Sequence, residues 1–239
     1  MSGLNGEGGM VMLEARGVGK IYETRGVSTL ALEGVDLTIE EGEFSALAGP
    51  SGSGKTTLLN ILGALDAPSS GEVCLDGARL ADLSAAQLAE LRLRKLGFVF
   101  QAYNLIPVLS ARENVEFVME LQGVPAAERR ARAEELLLDV ELADLADKRP
   151  LEMSGGQQQR VAVARAMASR PRVVLADEPT ANLDSGTAGR LLDLMERLNR
   201  ERAVTFLFST HDSLVMEKAR RIVRLRDGRI VGEERRDGA

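Results

Sequence analysis

Short apolar runs that stop abruptly at polar residues recur along the chain. Glu43-Phe44-Ser45-Ala46-Leu47-Ala48 gives way to a glycine-rich stretch, and Val173-Val174-Leu175-Ala176 stops at Asp177 and Glu178. Gly97-Phe98-Val99-Phe100 ends at Gln101, and Thr205-Phe206-Leu207-Phe208-Ser209-Thr210 ends at His211. Uninterrupted apolar runs of this length suit parallel strands covered on both faces, and such sheets gather ligands beyond the carboxyl ends of their strands. Elsewhere the period changes. Val161, Ala164, Met167 and Ala168 fall on one helix face, and Ser110-x-x-Glu113 forms a capping box ahead of Val115, Val118 and Met119. A later stripe runs through Ala133, Leu136, Leu137 and Val140.

These patterns predict one α/β domain over 10–239 with a helical insert over about 102–153. Strands separated by turns before about residue 80, including Val11 to Arg16, Leu30 to Ile39 and Glu72 to Asp76, predict a small antiparallel sheet beside the core. Asp227-Gly228, between Ile222-Val223-Arg224-Leu225-Arg226 and Arg229-Ile230-Val231, marks a hairpin. Residues 1–9 are expected to be a loose tail.

Composition narrows the class. The 239 residues are 44% hydrophobic and 28% charged, which excludes a disordered chain. A chain of this length buries roughly 70–75% of its extended surface and needs no covalent staple. Cys74, alone, offers none. No apolar run reaches the ~18 residues of a membrane span, and the start lacks a charged segment followed by an apolar core, so neither export by that route nor an integral membrane location is expected. A net charge of −6 lacks the basic surplus of chains that wrap nucleic acid, and no nucleic-acid partner is expected.

The 24 glycines matter by their placement. Gly49-Pro50-Ser51-Gly52-Ser53-Gly54-Lys55-Thr56-Thr57 lies between a buried strand and an apolar helix start. Such a loop points successive N–H groups into one concavity, and the helix beyond adds its own unpaired donors, so an anion belongs there. Lys55 supplies charge for the outer phosphates of a nucleoside triphosphate, and the Thr56 hydroxyl is placed to ligate Mg²⁺. Asp177 and Glu178 diverge at a strand end: Asp177 is assigned to the metal and Glu178 to an attacking water as general base. His211, the only histidine, is placed to reach the γ-phosphate. The Gln101 amide oxygen is placed to complete the metal shell or orient water.

Met153-Ser154-Gly155-Gly156-Gln157 opens another helix, over about 158–169. Capping accounts for Ser154 and Gln157 but not for two glycines in a first turn, each costing up to ~1 kcal/mol relative to Ala. Close approach to a phosphate would explain them. One nucleotide loop and two phosphate-seeking surfaces in one chain predict a two-fold dimer in which each Ser154 segment caps the nucleotide held by the other copy.

In this order the motifs resemble the ATPase subunits of ABC transporters. The match spans almost the whole chain, from the phosphate loop through Gln101, Ser154-Gly155-Gly156-Gln157 and Asp177-Glu178 to Ala181-Asn182-Leu183-Asp184 and His211. The resemblance implies a P-loop NTPase (RecA-like) core with an antiparallel β subdomain and an inserted helical subdomain. It also implies ATP and Mg²⁺ as cofactors, Asp184 at the nucleotide and Tyr22 stacked on adenine; a Tyr near the start carries no such assignment by itself. It implies an integral membrane permease docking near residues 101–121, and a peripheral location on the cytoplasmic face of a bacterial inner membrane. Asn60-Ile61-Leu62-Gly63, the triple Gln157-Gln158-Gln159 and Leu175-Ala176-Asp177-Glu178-Pro179-Thr180 are similar to the lipoprotein-releasing and macrolide-exporting (LolD/MacB-like) branch. A related regulatory ATPase, acting on a membrane partner in cell division without moving a solute, would carry nearly the same motifs. Met153 in place of the usual Leu, and Ala181-Asn182 in place of the commoner Gly-Asn or Ser-Ala, are departures that spare Lys55, Glu178 and His211, so an active enzyme is expected.

Overall fold

The apolar runs form the centre of a six-stranded sheet in this computed structural model, which describes residues 10–24 and 26–236; the expected tail lies outside the described residues. Two long strands, β1 (Val11–Thr24) and β2 (Val27–Glu40), precede β3 (Phe44–Ala48) and helix α1 (Lys55–Leu62). Strands β4 (Ser70–Leu75) and β5 (Ala78–Arg79), helix α2 (Ala85–Lys95) and strand β6 (Leu96–Val99) follow. Helices α3 (Ala111–Leu121), α4 (Ala126–Asp139) and α5 (Gly155–Ala168) come next, with two short 3₁₀ turns before α5. The chain continues through β7 (Val173–Asp177), α6 (Ser185–Arg202), β8 (Thr205–Thr210) and α7 (Ser213–Lys218), and closes with the hairpin β9 (Arg221–Arg226) and β10 (Arg229–Arg235).

The main sheet has the order β10-β9-β3-β8-β7-β6 and is parallel except for β10. A second, antiparallel sheet has the order β2-β1-β4-β5. Alternation along the buried strands separates two cores. Phe44, Phe206 and Phe208 face helices α3 to α6, with ring centroids 4.7–5.9 Å apart. Leu47, Leu207 and Val223 face the other way, onto α1 and the antiparallel sheet. Each fully buried Phe or Leu stabilises by about 1.5–3 kcal/mol, so both faces of the sheet are needed. Arg221 ties the sheets together at one margin: its guanidinium holds Glu233 through two bonds of 2.8 and 3.0 Å, Glu43 at 3.0 Å and the Thr38 carbonyl at 2.6 Å.

Two features differ from the sequence reading. Helix α2 has no fully buried residue, and its inward face joins Leu88 and Leu91 to Arg92 and Lys95, so the apolar pattern does not mark it; its signal is the capping box of Ser84 and Gln87. Strand β1 runs on from Arg16 to Thr24, and β2 starts at Val27 rather than Leu30. Their outer ends, where Ile21 pairs with Leu30 and Tyr22 with Thr29, form an exposed ribbon held by backbone pairing and by bonds from Ile21 N–H to Ser69 Oγ and from the Tyr22 hydroxyl to Asp66.

Candidate active site

Parallel register brings the strand ends to one edge. Ala48 lies beside Thr210 and Asp177 beside Ser209, so the loop after β3, Glu178 after β7 and His211 after β8 emerge together. Between them lies a cleft of about 450 Å³ bounded by the glycine loop, Thr29 to Ala31, Gln101, Glu178 and His211. The loop can only be built from glycine where it turns: a Cβ on Gly49 would sit 2.2 Å from the Leu225 carbonyl oxygen, and Gly54, at φ +101°, caps α1 with 2.6 Å to the Ala31 oxygen. Ser51 and Gly52 line the cleft, and Pro50 accepts a bond from Lys55.

Lys55 is 6% exposed, yet its ammonium meets only the carbonyls of Gly49 and Pro50, at 2.8 and 3.0 Å, and Glu178 at 3.8 Å. The buried Ser53 hydroxyl has no partner. A nearly buried cation and the amino end of α1 facing one cavity suit a polyphosphate. The Thr56 hydroxyl meets the Asp177 carboxylate at 3.0 and 3.2 Å, while Thr57 lines the cleft beside it. Thr56 and Asp177 offer one hydroxyl and one carboxylate, so a divalent cation there would take only part of its shell from the chain. That matches magnesium, which uses one or two carboxylates and completes its octahedron with phosphate oxygens and water.

Glu178 is held at φ +45° by its N–H bond to the Ser209 carbonyl at 2.9 Å. Its carboxylate faces His211 Nδ1 at 2.9 Å and the Thr210 hydroxyl at 3.4 Å. Sequence reasoning missed Thr210, whose signal is a buried hydroxyl at a strand end. It also missed Asp212, which caps α7 and receives the Thr180 hydroxyl at 2.7 Å, fixing the turn that carries His211. Gln101 is exposed at the cleft, its carbonyl accepting from Asn182 Nδ2 at 3.0 Å.

Ser154 caps α5 as expected, with Gln157 closing the box: Ser154 N–H donates to Gln157 Oε1 at 2.9 Å and Gln157 N–H to Ser154 Oγ at 3.3 Å. The glycines between them also lie close to side chains of their own chain. A Cβ on Gly155 would sit 2.7 Å from the Tyr103 hydroxyl, and one on Gly156 would sit 2.5 Å from Thr187 Cγ2. Both are side-chain atoms that could shift, so packing favours glycine at the two positions without demanding it. The Ser154–Gln157 turn does not line the cleft of its own chain. Asp184 also stands apart, capping α6 through the Thr187 N–H at 3.0 Å; hydrogen bonds from Thr187 hold its carboxyl below the usual range.

Tyr22 lies on the exposed ribbon, its hydroxyl donating to Asp66 at 2.8 Å and its ring under the Lys20 ammonium, 4.8 Å from the centroid. Burial and the Asp66 carboxylate push the phenol upward, with the Thr57 hydroxyl opposing. Of the residues expected to dock a partner, Val115 and Met119 are fully buried in the helical core, whereas Val108, Phe117 and Leu121 are exposed.

The ABC transporter family model matches residues 32–181. The chain is 48% identical over 230 residues to the lipoprotein-releasing system ATP-binding protein LolD of Anaeromyxobacter dehalogenans, covering 95% of this chain and 96% of that one. It is also 48% identical over 233 residues to the macrolide export ATP-binding/permease protein MacB 1/2 of Paracoccus denitrificans, but spans only 35% of that longer protein. Among solved structures, a dimeric post-hydrolysis state of an ATP-binding cassette from Methanocaldococcus jannaschii, bound to ADP and Pi, is similar with a TM-score of 0.88 at 44% identity, covering 95% of this chain and all of the other.

Proposed function

The chain belongs to the ABC transporter family and is an ATPase, and we propose that two copies close head to tail around two Mg-ATP to drive a membrane permease. The observation that carries this reading is the convergence of the Lys55 loop, Asp177, Glu178 and His211 at one sheet edge. Lys55 and the N–H groups of the loop bind the outer phosphates. Glu178 accepts the proton of the attacking water, and His211, held against it at 2.9 Å, faces the γ-phosphate. Negative charge on the transferred group is met by Lys55 and by the N–H groups at Ser154–Gln157 of the second copy. Thr56, Asp177 and Gln101 would hold Mg²⁺, which supplies charge neutralisation between the phosphates.

Head-to-tail pairing explains why the Ser154 turn caps no cleft of its own chain, and dimeric relatives support it. The two named relatives favour release of a lipoprotein or export of a substrate from the inner membrane or periplasm, with this chain peripheral on the cytoplasmic face. No helix among the described residues is long and apolar enough to cross a membrane. Within the proposed docking stretch, 101–121, the exposed Val108, Phe117 and Leu121 offer the permease apolar contact. Affinity purification of the tagged protein from gently solubilised membranes of its host tests this reading. A permease with few spans and a large extracytoplasmic domain is expected; only soluble partners, or a cell-division protein, would overturn the transport assignment.

A further inference from the structure

We propose that Arg165, near the end of α5, is a positioning residue that holds Gln101 at the cleft by pinning the turn that follows it; the proposal rests on reading the cleft as an ATPase site. The turn is backbone-strained. Tyr103 and Asn104 are consecutive non-glycine residues in the left-handed region, at φ +60° and +50°. An L-residue there is disfavoured, a bulky aromatic above all, and two in succession persist only where the surroundings over-determine them. Local bonds, from Tyr103 N–H to the Phe100 carbonyl at 3.1 Å and from Asn104 N–H to that of Ala102 at 2.6 Å, close the turn tightly.

Arg165 supplies what the turn lacks. Its guanidinium donates from Nη2 to the Tyr103 carbonyl at 2.8 Å and from Nη1 to that of Asn104, so one planar group clamps both strained residues. Burial pushes its pKa down, and among the described residues no carboxylate pairs with it. A guanidinium is expensive to bury without a counter-charge, and filling space in the last turns of α5 would be served better by Met or Leu. The retained charge is spent on two carbonyls. Lys, with one compact head, cannot reproduce a planar two-pronged contact.

Gln101 therefore hangs between two anchors, Asn182 on its own carbonyl and the clamped turn two residues on. Farther along, buried Asn114 fixes the other end of the segment by accepting from Ile106 N–H at 2.8 Å and donating to the carbonyls of Ile106, Leu109 and Ser110. The Tyr103 hydroxyl rests against Gly155, so the clamped turn also abuts the start of the helix that carries Arg165. Position at Gln101 is thereby set by one side chain.

The test is a double-mutant cycle on steady-state phosphate release by the purified protein. Arg165→Met is expected to lower kcat about ten-fold or more with KM for ATP within two-fold, since displacing a cleft group by about 1 Å suffices for such a loss. In a Gln101→Ala background the same substitution is expected to cost no more than about two-fold, because the group it positions is gone. Equal loss in both backgrounds would show that Arg165 acts by holding the fold and would overturn the proposal, as would an unchanged kcat or a Gln101→Ala variant with full activity. If Arg165→Met does not fold, by its thermal unfolding, the cycle is run with Arg165→Lys, for which at least a three-fold loss in kcat, abolished by Gln101→Ala, is expected. Wild-type turnover in the same assay tests the ATPase reading separately.

Discussion

Replacing Glu178 by Gln changes one charge and almost no volume. The amide keeps an acceptor for the Thr210 hydroxyl at 3.4 Å and stays within reach of His211, so the turn at φ +45° should survive. It cannot accept a proton from water, and loss of a general base costs about 10²–10⁴ in rate, or ~2.7–5.5 kcal/mol of transition-state stabilisation. Binding should move the other way. Glu178 lies 3.8 Å from Lys55, where two charges near a protein surface attract by about 4 kcal/mol before desolvation is subtracted. Removing it frees Lys55 for the phosphates and removes a carboxylate that would repel them. Single-turnover phosphate release and equilibrium ATP binding, measured on the same preparation, are expected to show a fall of at least 100-fold in rate with equal or tighter Kd. A rate within ten-fold of wild type would place the base elsewhere. Affinity weakened more than ten-fold would mean that Glu178 builds the cleft rather than acting in it.

Lys55→Ala should weaken ATP binding itself by roughly 10–100-fold, because the side chain's charge-assisted bonds are worth about 1.5–3 kcal/mol, and titration calorimetry showing unchanged affinity would refute its role. Arg221→Met leaves the largely buried Glu43 without its cation, while the exposed Glu233 keeps Arg235, and is expected to cost about 3 kcal/mol, a fall of about 10 °C in Tm; a fall below 2 °C would refute the tie between sheets. Burial tends to raise the Asp66 carboxyl, but bonds from Lys20, Tyr22 and the Ala67 N–H outweigh it and hold the group below its ordinary value. A depressed folded value stabilises above the unfolded pKa and is lost as pH falls through the folded one. The Tm advantage of wild type over Asp66→Asn should therefore be full at pH 7 and shrink below about pH 4; an advantage that grows on acidification would reverse the assignment.

The strands that carry chemistry were legible because burial on both faces leaves an unmistakable apolar run, and because the residue that ends such a run has little to do but face a ligand. Thr205–Thr210 appears in the structure with the limits its sequence suggested. Helix α2 was illegible for the opposite reason: the face it turns inward joins Leu88 and Leu91 to Arg92 and Lys95, so few apolar positions mark it. Gly155 and Gly156 show how a correct observation can receive an incomplete cause, since nothing local in the sequence says that Tyr103 and Thr187 will press against them. Arg165 is likewise one of many arginines until the fold lays the Tyr103–Asn104 turn across it, more than 60 positions away in the chain.

The central claim is that nucleotide joins two copies of this chain, and sedimentation velocity of Glu178→Gln tests it most directly. Without nucleotide the variant should sediment as a monomer, and with Mg-ATP as a dimer; adding Lys55→Ala should abolish the shift. A monomer at saturating ATP, with binding demonstrated in the same sample, would contradict the shared site.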